Sequence, residues 1–318
     1  SAALAAGCTV VIKPSELTPL SGAAVIALAE QAGFPAGVIN LVTGEPKRIG
    51  ELFSASVKVK KLSFTGSTAV GKLLMRQCAA NVKKISLELG GHAPFIVFSD
   101  ADIHSAVAGL IASKFRNSGQ TCICPNRLYV HSDVYTQFKE LLLQQIAKLK
   151  LGNGLDESTT QGPLINQQSV AKALQHVQDA LAGGATLLCG GTTATEIGDN
   201  YFLPTLLENL DDTALILHQE TFAPVIPLLK FSDNDNILAQ ANHPDYGLAA
   251  YFYTQNLART WQVSQGLEYG MVAVNSPQFS SACVPFAGTK QSGFGCEGSK
   301  YGIDEYLNLK LVKIDGLG

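Results

Sequence analysis

The first part of the chain alternates short β-branched runs with helix-forming stretches, and this order restricts the fold more than any other feature. Between residues 8 and 91, strands are predicted at CTVVIKP, PAGVINLVTG, KVKKLSFTG and KKISLELGG, and the stretches between them are typical of helices. Strands that are joined by helical crossovers pair in parallel, with right-handed connections. The sequence therefore predicts an α/β fold that begins with one parallel sheet covered by helices.

A second α/β unit is predicted after residue 92. It starts with a helix at 100–119 that opens on an Asp cap, followed by a cysteine-containing loop, a strand at NRLYVHS and a helix at 133–149. Another helix is predicted at 167–182, and further strands and helices follow it. The segment EYLNLKLVKI at 305–314 alternates apolar and polar residues, which predicts a half-buried strand. It has no obvious hairpin partner, so we expect it to pair elsewhere, with another subunit as one candidate.

Composition excludes several classes of protein. Hydrophobic residues make up 46% and charged residues 15% of the 318 residues, which is typical of a globular chain. The net charge of −3 argues against a nucleic-acid or anionic-membrane partner, and no apolar run approaches the ~18 residues of a membrane span. The seven scattered cysteines predict free thiols in a reducing cytoplasm. The opening SAALAAG is typical of the end of a helix, so we expect preceding residues, and a mitochondrial location if these include a transit peptide.

Ligands of parallel α/β sheets lie at the carboxyl ends of the strands, which here are Lys13–Glu16, Thr65–Ser67 and Glu88–Gly91. The stretch GSTAVGKL at 66–73 differs by one residue from a phosphate-binding loop. Leu73 replaces the hydroxyl residue that would hold Mg²⁺, which disfavours nucleotide hydrolysis. Two interpretations of this stretch are left: an anion site at the helix start, and a tight turn without a ligand.

Two of these strand ends carry a carboxylate. Glu16, with Lys13, would suit a ribose diol, although a charged first turn of a helix is the simpler interpretation of these residues alone. Glu88 lies inside an apolar run, where lost hydration would raise its pKa toward the range of a general base. The competing interpretation places Glu88 on a solvated face of the strand.

Cys122 and Cys124 lie in the loop RNSGQTCICP. The histidines are too isolated to complete a metal site, so no metal is predicted. A catalytic thiol should be partly exposed and stabilised as the thiolate, and Arg116 is a nearby source of positive charge. The alternative is that Cys122 and Cys124 are two small buried residues without a chemical role. The polar sequence NSGQT before them argues against burial.

These pieces occur together and in order, and the chain resembles the NAD(P)-dependent aldehyde dehydrogenase family. The matching stretches are KPSELTPLS (13–21), FTGST (64–68), LELGG (87–91), GQTC (119–122), QETFAP (219–224) and FAGTKQSGFG (286–295). The similarity runs from Gly7 to about Lys313 and covers about the C-terminal two-thirds of a typical member. The stretches SKFRNSGQTCICPNRLYV and EGSKYGIDEYLNLK are similar to the succinate-semialdehyde dehydrogenase branch.

The resemblance implies a domain organisation. Residues 1–89 would be part of a Rossmann-type dinucleotide-binding domain, residues 90–290 the catalytic thiol domain, and residues 291–318 a C-terminal segment with an oligomerisation strand. Family members are dimers or tetramers, so a homodimer or homotetramer is expected.

The resemblance also implies site residues. Cys122 would be the nucleophile, Glu88 the base that activates the hydrolytic water, and Cys124 a neighbouring thiol that forms a reversible disulfide in some members. Arg116 and Ser280 would bind the far carboxylate of the substrate. The remaining contacts would be with the cofactor: Lys13, Pro14, Ser15 and Glu16 on the adenosine side, Gly66 and Ser67 near the pyrophosphate, and Leu89, Glu220 and Phe222 near the nicotinamide.

The implied activity is oxidation of succinate semialdehyde, or of a close aldehyde such as glutarate semialdehyde, to the carboxylic acid. Because the Glu16 carboxylate suits two ribose hydroxyls and repels a 2′-phosphate, we predict NAD as the preferred cofactor, with NADP as the second choice. The alternatives are a noncatalytic remnant that serves only assembly or dinucleotide binding, and a nucleotide hydrolase, which Leu73 disfavours.

Overall fold

The computed structural model describes residues 1–279 and 281–316, and these residues form four sheets, of which the largest has seven strands. Helices α1 to α11 span, in order, Ala2–Ala5, Pro19–Gln31, Pro46–Ala55, Thr68–Ala79, Ile103–Lys114, Tyr135–Ile146, Gln167–Ala182, Leu215–His218, Ile237–Ala241, Leu257–Gly266 and Tyr301–Asp304. Strands β1 to β14 span, in order, Val10–Ile12, Ile39–Leu41, Lys61–Thr65, Lys84–Glu88, Ala93–Val97, Pro125–His131, Thr186–Cys189, Thr205–Glu208, Val225–Phe231, Tyr246–Gly247, Ala249–Tyr253, Met271–Val274, Thr289–Lys290 and Gly293–Phe294.

The second α/β unit is built on a seven-stranded sheet in the order β12-β11-β5-β6-β9-β8-β7. Its neighbours pair in parallel except for β7, which is antiparallel to β8. Successive side chains of a strand point to opposite faces. Accordingly, Phe95 of β5 packs in a cluster with α5 and α6, and Ile96 packs in another cluster with α10. The predicted α/β character of this part of the chain is confirmed.

The first four strands do not form one sheet, and this part of the prediction is wrong. β1 pairs in parallel with β2, whereas β3 pairs in parallel with β4 in a separate three-stranded sheet. The third strand of that sheet is β14, which returns from the C-terminal part and runs antiparallel to β4. Hydrophobic periodicity predicts strands and their faces, but it carries no information about which strands exchange hydrogen bonds.

Strand β5 was not predicted, and Pro94 is the physical reason. Proline lacks a backbone N–H, so it argues against a central strand unless the ladder is irregular at that point. The register between β5 and β6 shifts between Ala93 and Pro94, which accommodates the missing donor. The strand therefore occupies the middle of the sheet in spite of its proline.

The predicted strand at 305–314 is not formed. The residues after α11 belong to no helix or strand up to residue 316, and Leu309 and Leu311 are 104% and 93% exposed. An alternating pattern makes a strand only where another strand offers hydrogen-bond partners. Within the described residues, no strand pairs with this segment. No described helix is both long and apolar enough to cross a bilayer.

Candidate active site

The loop that carries Cys122 starts where α5 ends, and its backbone is left-handed. Asp102 caps α5 by accepting a hydrogen bond from the Ser105 N–H at 3.1 Å, as the predicted Asp cap requires. The helix ends at Lys114 and not near residue 119 as predicted, because Asn117, Ser118 and Gly119 have φ values of 51°, 55° and 76°. Left-handed backbone at non-glycine residues costs roughly 1–3 kcal/mol each unless the surroundings enforce it.

Those surroundings are supplied by the segment at 160–165. The Ser118 hydroxyl donates to the Gly162 carbonyl at 2.8 Å, and the Ile165 N–H donates to the Gln120 side-chain carbonyl at 2.9 Å. On the other side, a Cβ at Gly119 would lie 2.4 Å from the Ala223 carbonyl oxygen. The loop is therefore held in one conformation by two distant parts of the chain.

Cys122 lies in a tight turn against the glycines that follow β4. The turn is closed by the Cys124 N–H, which donates to the Thr121 carbonyl at 3.0 Å. Cys122 is a partly exposed free thiol, as predicted for a nucleophile. A Cβ at Gly91 would lie 2.2 Å from the Cys122 carbonyl oxygen, so only glycine permits this approach.

The electrostatic surroundings of Cys122 differ from the prediction. Burial, and after it the carboxylates of Glu220 and Glu88, raise the pKa of the thiol to about 11. The backbone N–H groups of Cys122 and Ile123 oppose this shift with a smaller effect. Arg116 is exposed, and its charge lowers the pKa of Cys124, whereas stabilisation of the Cys122 thiolate by Arg116 stays a prediction.

Glu88 ends β4 with its side chain inside the protein. It is 5% exposed, and its Oε2 atom has no hydrogen-bond partner. Burial, followed by the charge of Glu297, raises the pKa of Glu88 to about 8. The solvated interpretation of Glu88 is therefore wrong, and the carboxyl has the affinity for protons that a general base near neutral pH requires.

Glu220 approaches the same point from the other side. Its Oε1 atom accepts a hydrogen bond from the Gly91 N–H at 3.0 Å, and a Cβ at Gly90 would lie 2.8 Å from its Oε2 atom. Burial raises the pKa of Glu220 to about 7. The Cys122 turn and the Glu220 carboxylate thus meet at the Gly90–Gly91 backbone, and the charges of Glu220 and Glu88 both act on the Cys122 thiol. Phe222, two residues on, is 36% exposed and has a left-handed φ of 57°.

The predicted adenosine-side residues lie at the end of β1. Lys13 Nζ and Glu16 Oε2 form an ion pair at 2.5 Å, and the Glu16 side chain is 51% exposed. The Ser15 hydroxyl accepts a hydrogen bond from the Leu17 N–H at 3.3 Å, and Pro14 packs near Gly22. Within the described residues, these four make no hydrogen bond to Glu88, Glu220 or Cys122.

Gly66 and Ser67 follow the end of β3, and Leu89 follows the end of β4. The Gly66 N–H donates to the Glu88 carbonyl at 3.0 Å, and the Ser67 hydroxyl caps α4 by accepting from the Val70 N–H at 3.4 Å. The Leu89 N–H donates to the Ser292 carbonyl at 2.8 Å, so a contact with a nicotinamide amide would use the Leu89 carbonyl. An exposed carboxylate at the end of β1, a capped helix start and a carboxylate beside the thiol are groups that could hold an extended dinucleotide.

On the substrate side, a pocket of about 370 Å³ is lined by residues that include Phe279, Phe286 and Glu297. The Phe279 ring lies 4.8 Å from that of Tyr251, whose hydroxyl donates to the Ile123 carbonyl at 2.8 Å. The pocket is thereby connected to the Cys122 loop. Ser280, the second predicted carboxylate-binding residue, lies outside the described residues.

Cys124 is buried beneath this loop, next to a lysine that sequence reasoning missed. Cys124 is 1% exposed, and its thiol donates to the Lys114 carbonyl at 3.5 Å. Lys114 is fully buried, with Nζ 3.1 Å from the Asn126 side-chain carbonyl. A lysine in the apolar stretch IASKF was the available signal. Cys124 is a free thiol, and its disulfide with Cys122 stays a prediction.

Three polar residues of α7 were also missed, namely Lys172, His176 and Asp179. Their spacing places them on one face of the helix, toward the segment that carries Glu220. That helical spacing was the signal that could have identified them. In the described residues, no three His, Cys, Asp or Glu side chains cluster as metal ligands.

Comparisons with known proteins agree with this geometry. The family model described as the aldehyde dehydrogenase family matches residues 1–312. A succinate-semialdehyde dehydrogenase (NADP(+)) of Escherichia coli K12 is 52% identical over 98% of this chain, and a glutarate-semialdehyde dehydrogenase of Pseudomonas putida KT2440 is 50% identical over 98%. A 3-sulfolactaldehyde dehydrogenase of Pseudomonas putida is 50% identical over 99% of the chain.

Among solved structures, a crystal structure of an E. coli NADP-dependent enzyme superposes with a TM-score of 0.95 at 52% identity. That match covers 97% of this chain and 64% of the other. The chain spans 64% of the length of the E. coli and P. putida semialdehyde dehydrogenases named above, and 65% of the sulfolactaldehyde enzyme.

Proposed function

The chain belongs to the aldehyde dehydrogenase family, and we propose that its protein oxidises an aldehyde with a carboxylate at the far end to the corresponding acid. One observation carries this proposal: the half-buried Cys122 thiol lies within the influence of two carboxylates, the buried Glu88 and the half-buried Glu220, and Glu220 is bound to the Gly91 N–H. A thiol nucleophile beside a carboxylate of raised pKa is the arrangement that acyl formation and hydrolysis need.

The residues divide the reaction among them. The Cys122 sulfur attacks the aldehyde carbon as its proton passes through Glu88 to solvent, and the N–H groups of Cys122 and Ile123, which lower the pKa of the thiol, are available to the developing oxyanion. A bound nicotinamide supplies the acceptor for the hydride that leaves this carbon. Glu88 then takes a proton from the water that releases the acid from the Cys122 thioester. Because the pKa of Glu88 is about 8, it can hold that proton near neutral pH.

We propose succinate semialdehyde as the substrate, with glutarate semialdehyde as the close alternative. Arg116 is the exposed cation at the start of the Cys122 loop, where it is available to a substrate carboxylate. The relatives include enzymes named for both aldehydes and for 3-sulfolactaldehyde. One methylene changes binding by only about 1–3 kcal/mol, so neither length follows from the residues alone.

The noncatalytic alternative receives no support from the comparisons, since the relatives named above are enzymes and this chain retains Cys122 and Glu88. The hydrolase alternative is further weakened because Lys72, the lysine of the phosphate-loop-like stretch, hydrogen-bonds Gln291. We retain the division into 1–89, 90–290 and 291–318, a homodimer or homotetramer, and a cytoplasmic or mitochondrial-matrix location as parts of the proposal.

The test measures reduced cofactor formed by the complete gene product that contains this chain, with both semialdehydes. Cys122→Ala should lower kcat at least about 10³-fold, because the covalent route is lost. Arg116→Ala should raise KM about tenfold or more with a smaller change in kcat, because it removes a charge-assisted contact. Cys189→Ala, a thiol change in β7, is the control. Undiminished turnover by Cys122→Ala would refute the proposal.

The cofactor preference has its own test. The names of the E. coli semialdehyde dehydrogenase and of the E. coli crystal structure contain NADP. The Glu16 carboxylate, in contrast, favours the two free ribose hydroxyls of NAD. The ion pair with Lys13 offsets part of the repulsion toward a 2′-phosphate. We expect NAD to be preferred and Glu16→Ser to raise the NADP/NAD ratio of kcat/KM about tenfold. An unchanged ratio would show that Glu16 does not select the cofactor.

A further inference from the structure

The segment Gln219–Ala223, which carries Glu220, adopts a backbone that it would not adopt by itself. Phe222 has a φ of 57°, in the left-handed region that bulky side chains disfavour. Two residues before it, Glu220 accepts a hydrogen bond from the Gly91 N–H. Such a conformation persists only where other groups enforce it. The question is which groups do so.

One imidazole contacts the residue that follows Glu220. His176 Nδ1 lies 3.0 Å from the Thr221 hydroxyl oxygen. His176 is 1% exposed and Thr221 is 2% exposed, so water does not compete for the hydroxyl contact. Burial lowers the pKa of His176 to about 4, so the ring is neutral at physiological pH and acts through hydrogen bonds.

Neighbouring side chains of α7 support this contact. Lys172, one turn before His176, donates to the backbone carbonyl of Glu220. Asp179, almost one turn after it, accepts a hydrogen bond from the Leu215 N–H at 2.7 Å. A single face of α7 therefore holds the chain at both ends of the segment 215–221, and His176 occupies the middle of that face.

We propose that His176 is a positioning residue for Glu220: by holding Thr221, it directs the Glu220 carboxylate toward Gly91 and toward the sugar next to the nicotinamide. This inference rests on the proposed function, because it assumes that Glu220 binds the cofactor. His176 itself touches neither substrate nor cofactor in this account.

The test is a double-mutant cycle between His176 and Thr221. Thr221→Val keeps the shape and removes the hydroxyl, whereas Thr221→Ser keeps the hydroxyl; His176→Leu removes the ring, whereas His176→Asn keeps a nitrogen near the Nδ1 position. In calorimetric titrations with NAD and with NADP, Thr221→Val and His176→Leu should each weaken cofactor binding about tenfold. The double variant should bind the cofactor no more weakly than either single variant. Thr221→Ser and His176→Asn should keep most of the wild-type affinity. Gln175→Ala, on the exposed side of α7, is the control.

A second readout needs no cofactor. Because the Glu220 carboxylate disfavours the Cys122 thiolate, its release from Gly91 should speed alkylation of Cys122 by iodoacetamide. Hydrogen exchange at the amides of residues 219–223 should also increase in Thr221→Val. Thr221→Ser should match the wild type in both measurements. Thr221→Val is nearly isosteric, so the test stands even if His176→Leu fails to fold.

The outcomes separate this inference from the proposed function. If Glu220→Gln weakens cofactor binding but Thr221→Val behaves like Thr221→Ser, the positioning role is refuted and the function stands. Independent, multiplicative effects of His176→Leu and Thr221→Val would refute it as well. If Glu220→Gln leaves cofactor binding unchanged, the assignment of Glu220 fails, and the role of His176 fails with it.

Discussion

At the scale of single residues, burial changes the chemistry of ordinary side chains. Glu88 and Cys122 both lose hydration, which raises the pKa of each, to about 8 and about 11. The two shifts have different consequences. The carboxyl becomes a base suited to neutral pH, whereas the thiol needs an acceptor for its proton when it attacks. Glu88 is the buried carboxylate near Cys122, and it can serve both as the base for water and as the acceptor of the thiol proton.

The first prediction concerns the pH dependence of turnover. The proposed base is the ionised form of Glu88, so kcat should rise with pH and level off above about 8. Glu88→Gln should lower kcat at least about 10²-fold and remove that rise. Stopped-flow and steady-state pH profiles of the two proteins provide the measurement. A wild-type profile that is retained in Glu88→Gln would assign the titration to another group.

The second prediction concerns stability. The folded pKa of Glu88 lies above its ordinary value of 4.5, so the folded state binds the extra proton and its stabilising effect is complete below pH 4.5. This contribution is lost as pH rises to about 8. Glu88→Gln should therefore become more stable relative to wild type, by roughly 2–4 kcal/mol, between pH 5 and pH 9 in urea unfolding. A pH-independent difference between the two proteins would contradict it.

At the scale of elements, the site depends on loops that approach each other more closely than side chains would allow. The turn at Cys122 packs on Gly91, and the left-handed loop before it packs on the Ala223 carbonyl through Gly119. Helix α5 ends at Lys114 because the chain must turn into this loop. The elements around the site are regular, and the strain lies in their connections.

The third prediction tests this close approach. Gly91→Ala adds a methyl group that would lie 2.2 Å from the Cys122 carbonyl oxygen. The turn that carries the nucleophile must therefore move. A displacement of about 1 Å costs about 10²-fold in rate, and we expect at least that loss in kcat/KM. Gly154→Ala is the control, because nothing lies within 4 Å of its Cβ position. Equal activity of the two variants would show that the backbone at residue 91 can relax without consequence.

At the scale of the whole molecule, two apolar surfaces have no cover within the described residues. Helix α2 buries none of its residues, and Leu20, Val25 and Leu28 are 81%, 62% and 62% exposed. The segment after α11 exposes Leu309 and Leu311 in the same way. Large exposed apolar surfaces mark contacts with other protein. We therefore expect further protein to cover both, and a second copy of the chain to pair with the segment after α11.

The fourth prediction follows from that segment. The complete gene product should be a dimer or tetramer by light scattering coupled to gel filtration. Leu309→Asp combined with Leu311→Asp should lower its mass toward the monomer, because buried charge without a partner disfavours association. Leu155→Asp, at a residue that is 92% exposed in another loop, is the matched control. An unchanged mass of the double variant would place the assembly surface elsewhere.

The sequence by itself determined the elements and much of the site. Helix α7 was predicted with the observed bounds, 167–182, the carboxyl ends of the strands followed from local patterns, and these patterns favoured a buried Glu88 and a partly exposed Cys122 over the alternatives. These properties depend on residues a few positions apart, through the periods of helix and strand. Local patterns also explain why the α/β class was predictable although Pro94 concealed β5.

Only the tertiary structure decided which strands pair, what surrounds the thiol and what holds Glu220. The pairing of β4 with β14, the effect of Glu88 and Glu220 on the pKa of Cys122, and the hydrogen bond between His176 and Thr221 each depend on residues far apart in sequence. The alternating segment 305–314 has the pattern of a strand but lacks a neighbour. Hydrogen-bond partners, burial and charge are properties of the folded neighbourhood, and no short stretch of sequence contains them.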